Sequence, residues 1–528
     1  MVNFWFIFIP DFPCTKSRKV VPLHRFFDNN RTQMKMSFRT VLLLIAVVLP
    51  SIAASKATGT MAGTATFRQM KERMDGNSLP LVNLTVELGA VSRERFVHGE
   101  IEIADYHGRL DGAKNYVKFS CLIRYRGRTA AGFEKKAFGV KLLDENGGDL
   151  DADLFGIRKE NSWVLDALAI DRCRMRNRVC FDLWNELSRT PYDTNYEGRN
   201  GTRGLFVEVF INGTYQGLYC FSDKIDRKLL GLKKARLADG GGVAVRGVLY
   251  KGVNWNDHDD IYLLSYKDAP TDGTAWNSWE LKYPEDYPSA ETWQPLKDLI
   301  DFCSAKTGDD DFGGHWQDHF HMQNLLDYFV FTLALNVGDN AYKNTYLSLR
   351  DIGGDDRRFL ITPWDMDQSF GSHWSGRYDE TTATLSKYDG VAPFNRLFPN
   401  NIDGFRDEAA RLWSQLNDNV LAPAHIFSLM ESYARQLVAS GAWQRERERW
   451  DGNPVTLKES PLDELEYVKD WYQRNYDALD AQFESVGIDD ATVPQPSATV
   501  FTLGGQVATS TFRPGIYILN GRKRVVKE

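Results

Sequence analysis

From Leu79 to Leu143 the chain runs in short apolar and alternating segments, "LPLVNLTVEL", "EIEIAD", "VKFSCLIRYRG" and "AFGVKLLD", punctuated by Gly and Asp. Such runs, bounded by turn residues, predict β-strands. From Asn161 the pattern changes. In "DRCRMRNRVCFDLWNELSRT", Met175, Val179, Leu183 and Leu187 recur at four-residue spacing, which predicts a helix with one apolar face. "GLFVEVFINGTYQGLYCFSDKID" then reads as two strands joined at Asn212-Gly213, a pair suited to a tight hairpin turn. A polar, aromatic stretch extends to about Pro288. "HMQNLLDYFVFTLALNVG" predicts an apolar helix ending at Gly338, and "NTYLSLRD" with "RRFLITPWD" a second hairpin across Gly353-Gly354-Asp355. From about Phe394 to Phe483 the chain is mostly amphipathic helix. The predicted class is α+β, with a strand-rich part over about 79–260, a helical part over about 290–490, and hairpins between.

Composition bounds the reading further. The 528 residues are 43% hydrophobic and 13% aromatic, enough for a sizeable core, which excludes global disorder. A formal charge of -7 and the lack of a basic run argue against a nucleic-acid partner held through its phosphates. From Met36, "MSFRTVLLLIAVVLPSIAASKATG" places one Arg, an apolar run from Val41 to Leu49, a Pro and then small residues. This is the pattern of a secretory signal cleaved between Ala53 and Ser55, and it predicts a secreted, periplasmic or cell-surface protein. The run is too short to span a bilayer, so no transmembrane anchor is expected. Residues 1–55 are read as an extension ahead of a start at Met36 plus the signal, 56–78 as a linker, 79–490 as the main domain and 491–528 as a short tail. Five Cys beyond Cys14 are scattered among apolar neighbours without a CxxC pair, so buried free thiols are expected. No GxxxxGK[ST], HExxH or GxSxG occurs.

The candidate chemistry lies in "GDNAYKNTYL" and "LITPWDMDQSFG". Phosphoryl transfer needs a carboxylate beside the attacking hydroxyl and oxygen ligands for a metal on the phosphate side. Asp339 and Asn344 stand five positions apart, and Asp365 follows after two predicted strands, with Asp367 two residues on. Carboxylate and amide oxygens suit a hard cation such as Mg²⁺. Asp-x4-Asn by itself also describes an Asx turn at a helix end. For a phosphate-binding cation, Lys135 and Lys141 are equal candidates on one face of a strand, with surface snorkelling as the alternative. Asp171 and Arg176 read as a structural ion pair, and Tyr250-Lys251 as a wall of a nucleotide pocket.

Those motifs, with "RGRTAAGFEKKAFGVKLLD", "LAIDRCRMRNRVCFDLWNEL" and "VEVFINGTYQGLYCFSDKID", resemble the CotH kinase family of atypical protein kinases, over about Leu79 to Phe483. The resemblance implies a divergent protein-kinase-like fold, ATP and Mg²⁺ or Mn²⁺ as cofactors, and phosphorylation of Ser or Thr on extracytoplasmic proteins. It implies Asp339 as catalytic carboxylate, Asp365 as principal metal ligand, Asn344 and Asp367 as further ligands or supports, and Trp364 as a stacking wall for adenine. Lys135, Lys141 and Tyr250 complete the expected nucleotide site. Two departures stand out: Arg126-Gly127 is followed by Arg128, not Asn, and Asp223 replaces the usual Glu. The tail, with "GIYI" and "NGRK", resembles C-terminal sorting tails of secreted Bacteroidetes proteins. The second reading is a catalytically idle kinase-like module that binds surface polymers or partner proteins.

Overall fold

A computed structural model describes residues 65–237, 242–253, 269–304, 306–341 and 343–486, together with three strands of the tail. The signal pattern and the start at Met36 lie outside the described residues. The described residues belong to one compact unit.

Seven strands close into a barrel: β1 (Leu81–Thr85), β2 (Val97–Ala104), β3 (Tyr116–Arg126), β4 (Ala137–Leu143), β5 (Ser162–Asp166), β6 (Gly204–Ile211) and β7 (Thr214–Ser222). Their order is β1-β2-β3-β4-β5-β7-β6, antiparallel throughout except where β6 meets β1 in parallel. The exception is forced, because seven strands that alternate direction around a ring leave the first and last pointing the same way. Val82, Leu84, Ile101, Ile103, Ile123, Val140, Leu165, Val207 and Phe221 belong to the barrel's own apolar cluster. In β2 the intervening Glu100 and Glu102 stay partly exposed, as period-two alternation requires. Asn212 and Gly213 both have positive φ, 51° and 77°, so the predicted two-residue turn joins β6 to β7.

A second, five-stranded sheet is built from β8 (Val248–Gly252), β9 (Ala275–Trp276), β10 (Trp279–Tyr283), β11 (Thr345–Leu349) and β12 (Leu360–Pro363), in the order β9-β10-β8-β11-β12. β11 and β12 are the predicted second hairpin. β8 to β10 come from the polar, aromatic stretch, so this sheet draws strands from both sides of the expected boundary at 260–290. The longer helices are α1 (Arg176–Leu187), α2 (Ala290–Cys303), α3 (Asp309–His319), α4 (Met322–Ala334), α5 (Phe405–Leu416), α6 (Pro423–Ala439), α7 (Ala442–Trp450) and α8 (Pro461–Ser485); α4 packs against β12 of this sheet, and α7 against barrel strand β7. Val179 and Leu183 of α1 are fully buried, as their spacing predicts.

Helix α4 stops at Ala334, short of Gly338. Asn475 Nδ2 donates to the Ala334 carbonyl at 2.8 Å, Asn336 turns left-handed at φ 45°, and Lys387 Nζ donates to the Val337 carbonyl at 2.7 Å. Side chains thus take over carbonyls that a longer helix would satisfy internally. The five described cysteines are buried and free. No helix among the described residues is long and apolar enough to cross a membrane. In the tail, Phe501–Thr502, Gly515–Leu519 and Arg522–Val526 form a three-stranded antiparallel sheet.

Candidate active site

The loop before β11 and the turn after β12 are stitched into one unit. The Asn344 N–H donates to the Gly252 carbonyl at the end of β8 (2.9 Å), the Trp364 N–H to the Asn344 carbonyl (2.8 Å), and the Gly338 N–H to the Gln368 carbonyl (2.9 Å). Asn340 Nδ2 reaches the carbonyls of Asn344 (3.0 Å) and Trp364 (3.2 Å), and the Tyr328 hydroxyl on α4 donates to the Asn340 carbonyl (2.6 Å). Asn344 and Asp365 both adopt φ 56°. Asn and Asp tolerate this left-handed region better than other side chains, and such positions gather at functional sites.

Carboxylates converge here from two directions. Asp339 is buried, and its Oδ2 accepts from Lys343 Nζ at 2.8 Å and Asn344 Nδ2 at 3.3 Å. Asp365 remains open to water although protein surrounds it, and Asp367 is half-buried. Neither has a hydrogen-bond or ion-pair partner among the described residues. Enclosure by protein, then the charges of Asp166 and Asp339, push Asp365 up to about 6, with Lys251 opposing. Burial, then Asp365 and Asp166, hold Asp367 well above the usual carboxylate range. Asp166, at the end of barrel strand β5, is the added member. Asn177 Nδ2 donates to it at 3.0 Å, and Asn177 Oδ1 accepts from the Met366 N–H at 3.0 Å. Asn177 therefore sets the barrel carboxylate against the Asp365–Asp367 turn.

Cations face this acidic group. Arg126 ends β3, with its guanidinium 5.6 Å from the centre of the Trp364 ring; Lys251 Nζ lies 5.6 Å from that ring and 5.7 Å from the Tyr346 ring. Phe181 and Tyr346 hold the indole edge-on at 5.7 and 6.0 Å. Aromatic faces attract such cations and keep them in place without neutralising them. Burial pulls Lys251 down to about 8, against an opposing pull from Asp365. Burial also lowers Arg126, which feels Asp166 and Asp365. Arg126 and Lys251 have no ion-pair partner among the described residues. Unpaired carboxylates beside unpaired cations suit a ligand that carries charge of both signs. Among the described residues no three His, Cys, Asp or Glu groups form a ready metal cage. A hard cation here would complete its shell with water and ligand oxygens.

Three expected residues, Asp339, Asn344 and Asp365, are brought together, with Asp367 and Trp364 beside them. The other expected ones are engaged elsewhere. Lys135 is buried, and its Nζ donates to Glu446 Oε1 and to the Leu218 carbonyl, both at 2.6 Å. Lys141 pairs with Asp149 at 2.7 Å on a partly exposed face. Tyr250 turns into the core, stacked on Trp293 at 5.5 Å with its hydroxyl donating to the Thr292 carbonyl. Its neighbour Lys251 takes the opposite face of β8, as strand geometry dictates. Asp171 and Arg176 do pair, at 2.5 Å, and Asp171 Oδ2 also accepts the N–H groups of Met175 and Arg176, capping α1. Asp223, though shorter than Glu, lies 3.0 Å from Arg158 and accepts the Arg203 N–H at 2.8 Å. Sequence reasoning did not single out Asp166 or Asn177 and took Arg126 only as a motif variant. The available signal was a charged residue ending an apolar strand, Asp166 after "SWVL" and Arg126 after "CLIRY".

Barrel, second sheet and charged site define an α+β protein whose site combines a loop Asp, an Asn and a turn of two further Asp. A family model described as CotH kinase protein matches residues 123–479, and the chain belongs to this CotH kinase family. The matched span holds every site residue named above. No curated protein matches the chain.

Proposed function

We propose that the protein is an ATP-dependent atypical protein kinase that transfers the γ-phosphate to Ser or Thr hydroxyls of extracytoplasmic proteins. One observation supports this best: among the described residues Asp365 and Asp367 have no hydrogen-bond or ion-pair partner on one side of the site, and Arg126 and Lys251 have no ion-pair partner on the other. Crowded carboxylates with raised proton affinity are donors that a divalent cation would stabilise. Asp365 and Asp367, with Asn344 beside them, would hold Mg²⁺ or Mn²⁺. When bound, that ion neutralises charge on the phosphates.

Arg126 and Lys251 would take phosphate oxygens. Trp364 then serves the phosphate side of the nucleotide, keeping two cations together, more than it serves as a wall for adenine. Asp339 would accept the proton of the acceptor hydroxyl as that oxygen bonds to the γ-phosphorus. The kinase-like architecture belongs to the same reading, with the barrel giving Arg126 and Asp166, and the second sheet with its loops giving Lys251, Asp339 and Asp365. The secretory pattern from Met36 motivates the extracytoplasmic substrate.

The test uses γ-labelled ATP with Mn²⁺ or Mg²⁺, scoring transfer to the protein itself and to dephosphorylated casein. Metal-dependent labelling that disappears in Asp339→Ala and Asp365→Ala is the expected result. No labelling with either metal would leave the idle binding module as the better reading.

A further inference from the structure

We infer that Lys343 is a positioning residue for Asp339: it ties down Oδ2 and thereby reserves Oδ1 for the acceptor hydroxyl. The inference rests on the phosphotransferase reading above. It begins from an asymmetry in one carboxylate. Lys343 Nζ lies 2.8 Å from Oδ2, and Asn344 Nδ2 lies 3.3 Å from the same oxygen. Oδ1 receives no donor among the described residues. Both contacts come from the chain immediately following Asp339, where the Lys343 N–H donates to the Asp339 carbonyl at 2.9 Å and closes a single turn. The pair is sheltered, with side-chain exposures of 25% for Lys343 and 13% for Asp339, so it is less screened than a surface pair.

The backbone beneath Asp339 is fixed as well. Lys387 Nζ donates to Asn336 Oδ1 (3.1 Å) and the Val337 carbonyl, the Gly338 N–H is held by Gln368, and Tyr328 holds Asn340. The remaining freedom is rotation of the carboxylate itself, which is broad for an aspartate. Lys343 and Asn344 remove it by binding one oxygen from one side. Asn344 belongs to the expected metal set, which leaves Lys343 as the charged group devoted to orientation.

In the reaction, the acceptor O–H gives its proton to Oδ1 of Asp339. The oxygen's electron pair forms the bond to the γ-phosphorus, and the bond from that phosphorus to the bridging oxygen breaks, its pair leaving on ADP. Lys343 neither gives nor takes a proton. Without it the carboxylate rotates, and its free oxygen is no longer presented in one place. A misplacement of about 1 Å in a reacting group costs up to about 100-fold in rate, so the loss falls on turnover and not on nucleotide binding.

The experiment measures steady-state transfer of label from ATP and Mn²⁺ to dephosphorylated casein by the full chain, Lys343→Met and Lys343→Arg. Lys343→Met should lower kcat about 10- to 100-fold with KM for ATP within about twofold, while Lys343→Arg, which still reaches a carboxylate oxygen, recovers a large part. A melting temperature for Lys343→Met close to that of the unaltered protein separates this from loss of fold. Unchanged kcat in Lys343→Met, a rise in KM for ATP at constant kcat, or no recovery in Lys343→Arg each overturns the assignment. If the unaltered protein transfers no label, the phosphotransferase reading falls and this inference falls with it; transfer at full rate by Lys343→Met sinks the Lys343 role alone.

Discussion

Lys251 is where burial and function pull in opposite directions. Its ammonium lies over Trp364 and Tyr346 with no counter-ion among the described residues, and burial brings its pKa from 10.5 to about 8. A phosphate placed against it favours the charged form, so the pKa of the bound state lies above that of the free protein. Nucleotide affinity should therefore hold up to about pH 8 and weaken above it, as free Lys251 loses its proton and binding must restore it. The unfolded chain keeps that proton to higher pH, so the same group makes the free protein more stable, not less, as pH rises between the two values. Equilibrium binding of ATP with Mn²⁺ from pH 6.5 to 9.5 checks the first statement. Lys251→Met should bind about 10- to 150-fold more weakly at pH 7 and lose the alkaline fall-off, since one charge-assisted contact contributes about 1.5–3 kcal/mol. A fall-off that persists in Lys251→Met would assign it to another group. The neighbouring Tyr250 shows why this residue is hard to find from sequence. Both are plausible site residues by type, and only the register of β8 in the sheet decides which one faces Trp364 and Tyr346.

At the scale of elements, one carboxylate on α7 fastens the helical part to the barrel. Glu446 accepts from Lys135 Nζ (2.6 Å), Arg174 Nε (2.8 Å) and the Leu218 N–H (2.8 Å), so the approach to β4, the approach to α1, and β7 meet at a single buried group. Burial raises its pKa, but Lys135 and Arg174 outweigh burial and hold it below the usual value, while Lys135 is itself pulled down to about 7, mainly by burial. The pair is thus favourable for the anion, shared between two cations, and costly for the lysine. Glu446→Gln leaves two cations buried without compensation and should lower unfolding stability by about 3–5 kcal/mol, read from urea unfolding. The favourable share is present at neutral pH and is lost on acidification as Glu446 takes a proton. Gly217→Ala should also destabilise, by about 1–3 kcal/mol, because φ is +120° there and a Cβ would press on Glu446 and Trp450. The β6–β7 hairpin was legible in sequence because Asn212-Gly213 encodes its turn locally. The role of Lys135 was not, since Glu446 lies 311 positions away and only folding makes them partners.

Across the whole molecule the same division holds. Asp339, Asn344 and Asp365 sit in two short motifs flanking one hairpin, so their meeting follows from local structure and could be read in advance. Arg126 and Asp166 arrive from the ends of barrel strands β3 and β5, and no spacing in the chain announces that barrel closure sets them against Asp365. A ligand bound at this site therefore engages both halves at once, and its metal and phosphate parts should bind interdependently. ATP alone meets the uncompensated Asp365 and Asp367, and Mn²⁺ alone finds an incomplete shell, so each by itself should raise the melting temperature little. Together at about 100 times their Kd they should stabilise the fold by about 2.7 kcal/mol, a shift of several degrees. Arg126→Ala should keep the small response to Mn²⁺ and lose most of the joint shift. Asp365→Asn, which removes a repelling charge, should bind ATP alone no worse than the unaltered protein and gain nothing further from Mn²⁺. Two independent shifts that simply add, or a joint shift untouched by Arg126→Ala, would place the nucleotide away from the barrel and undo the picture of one site spanning both halves.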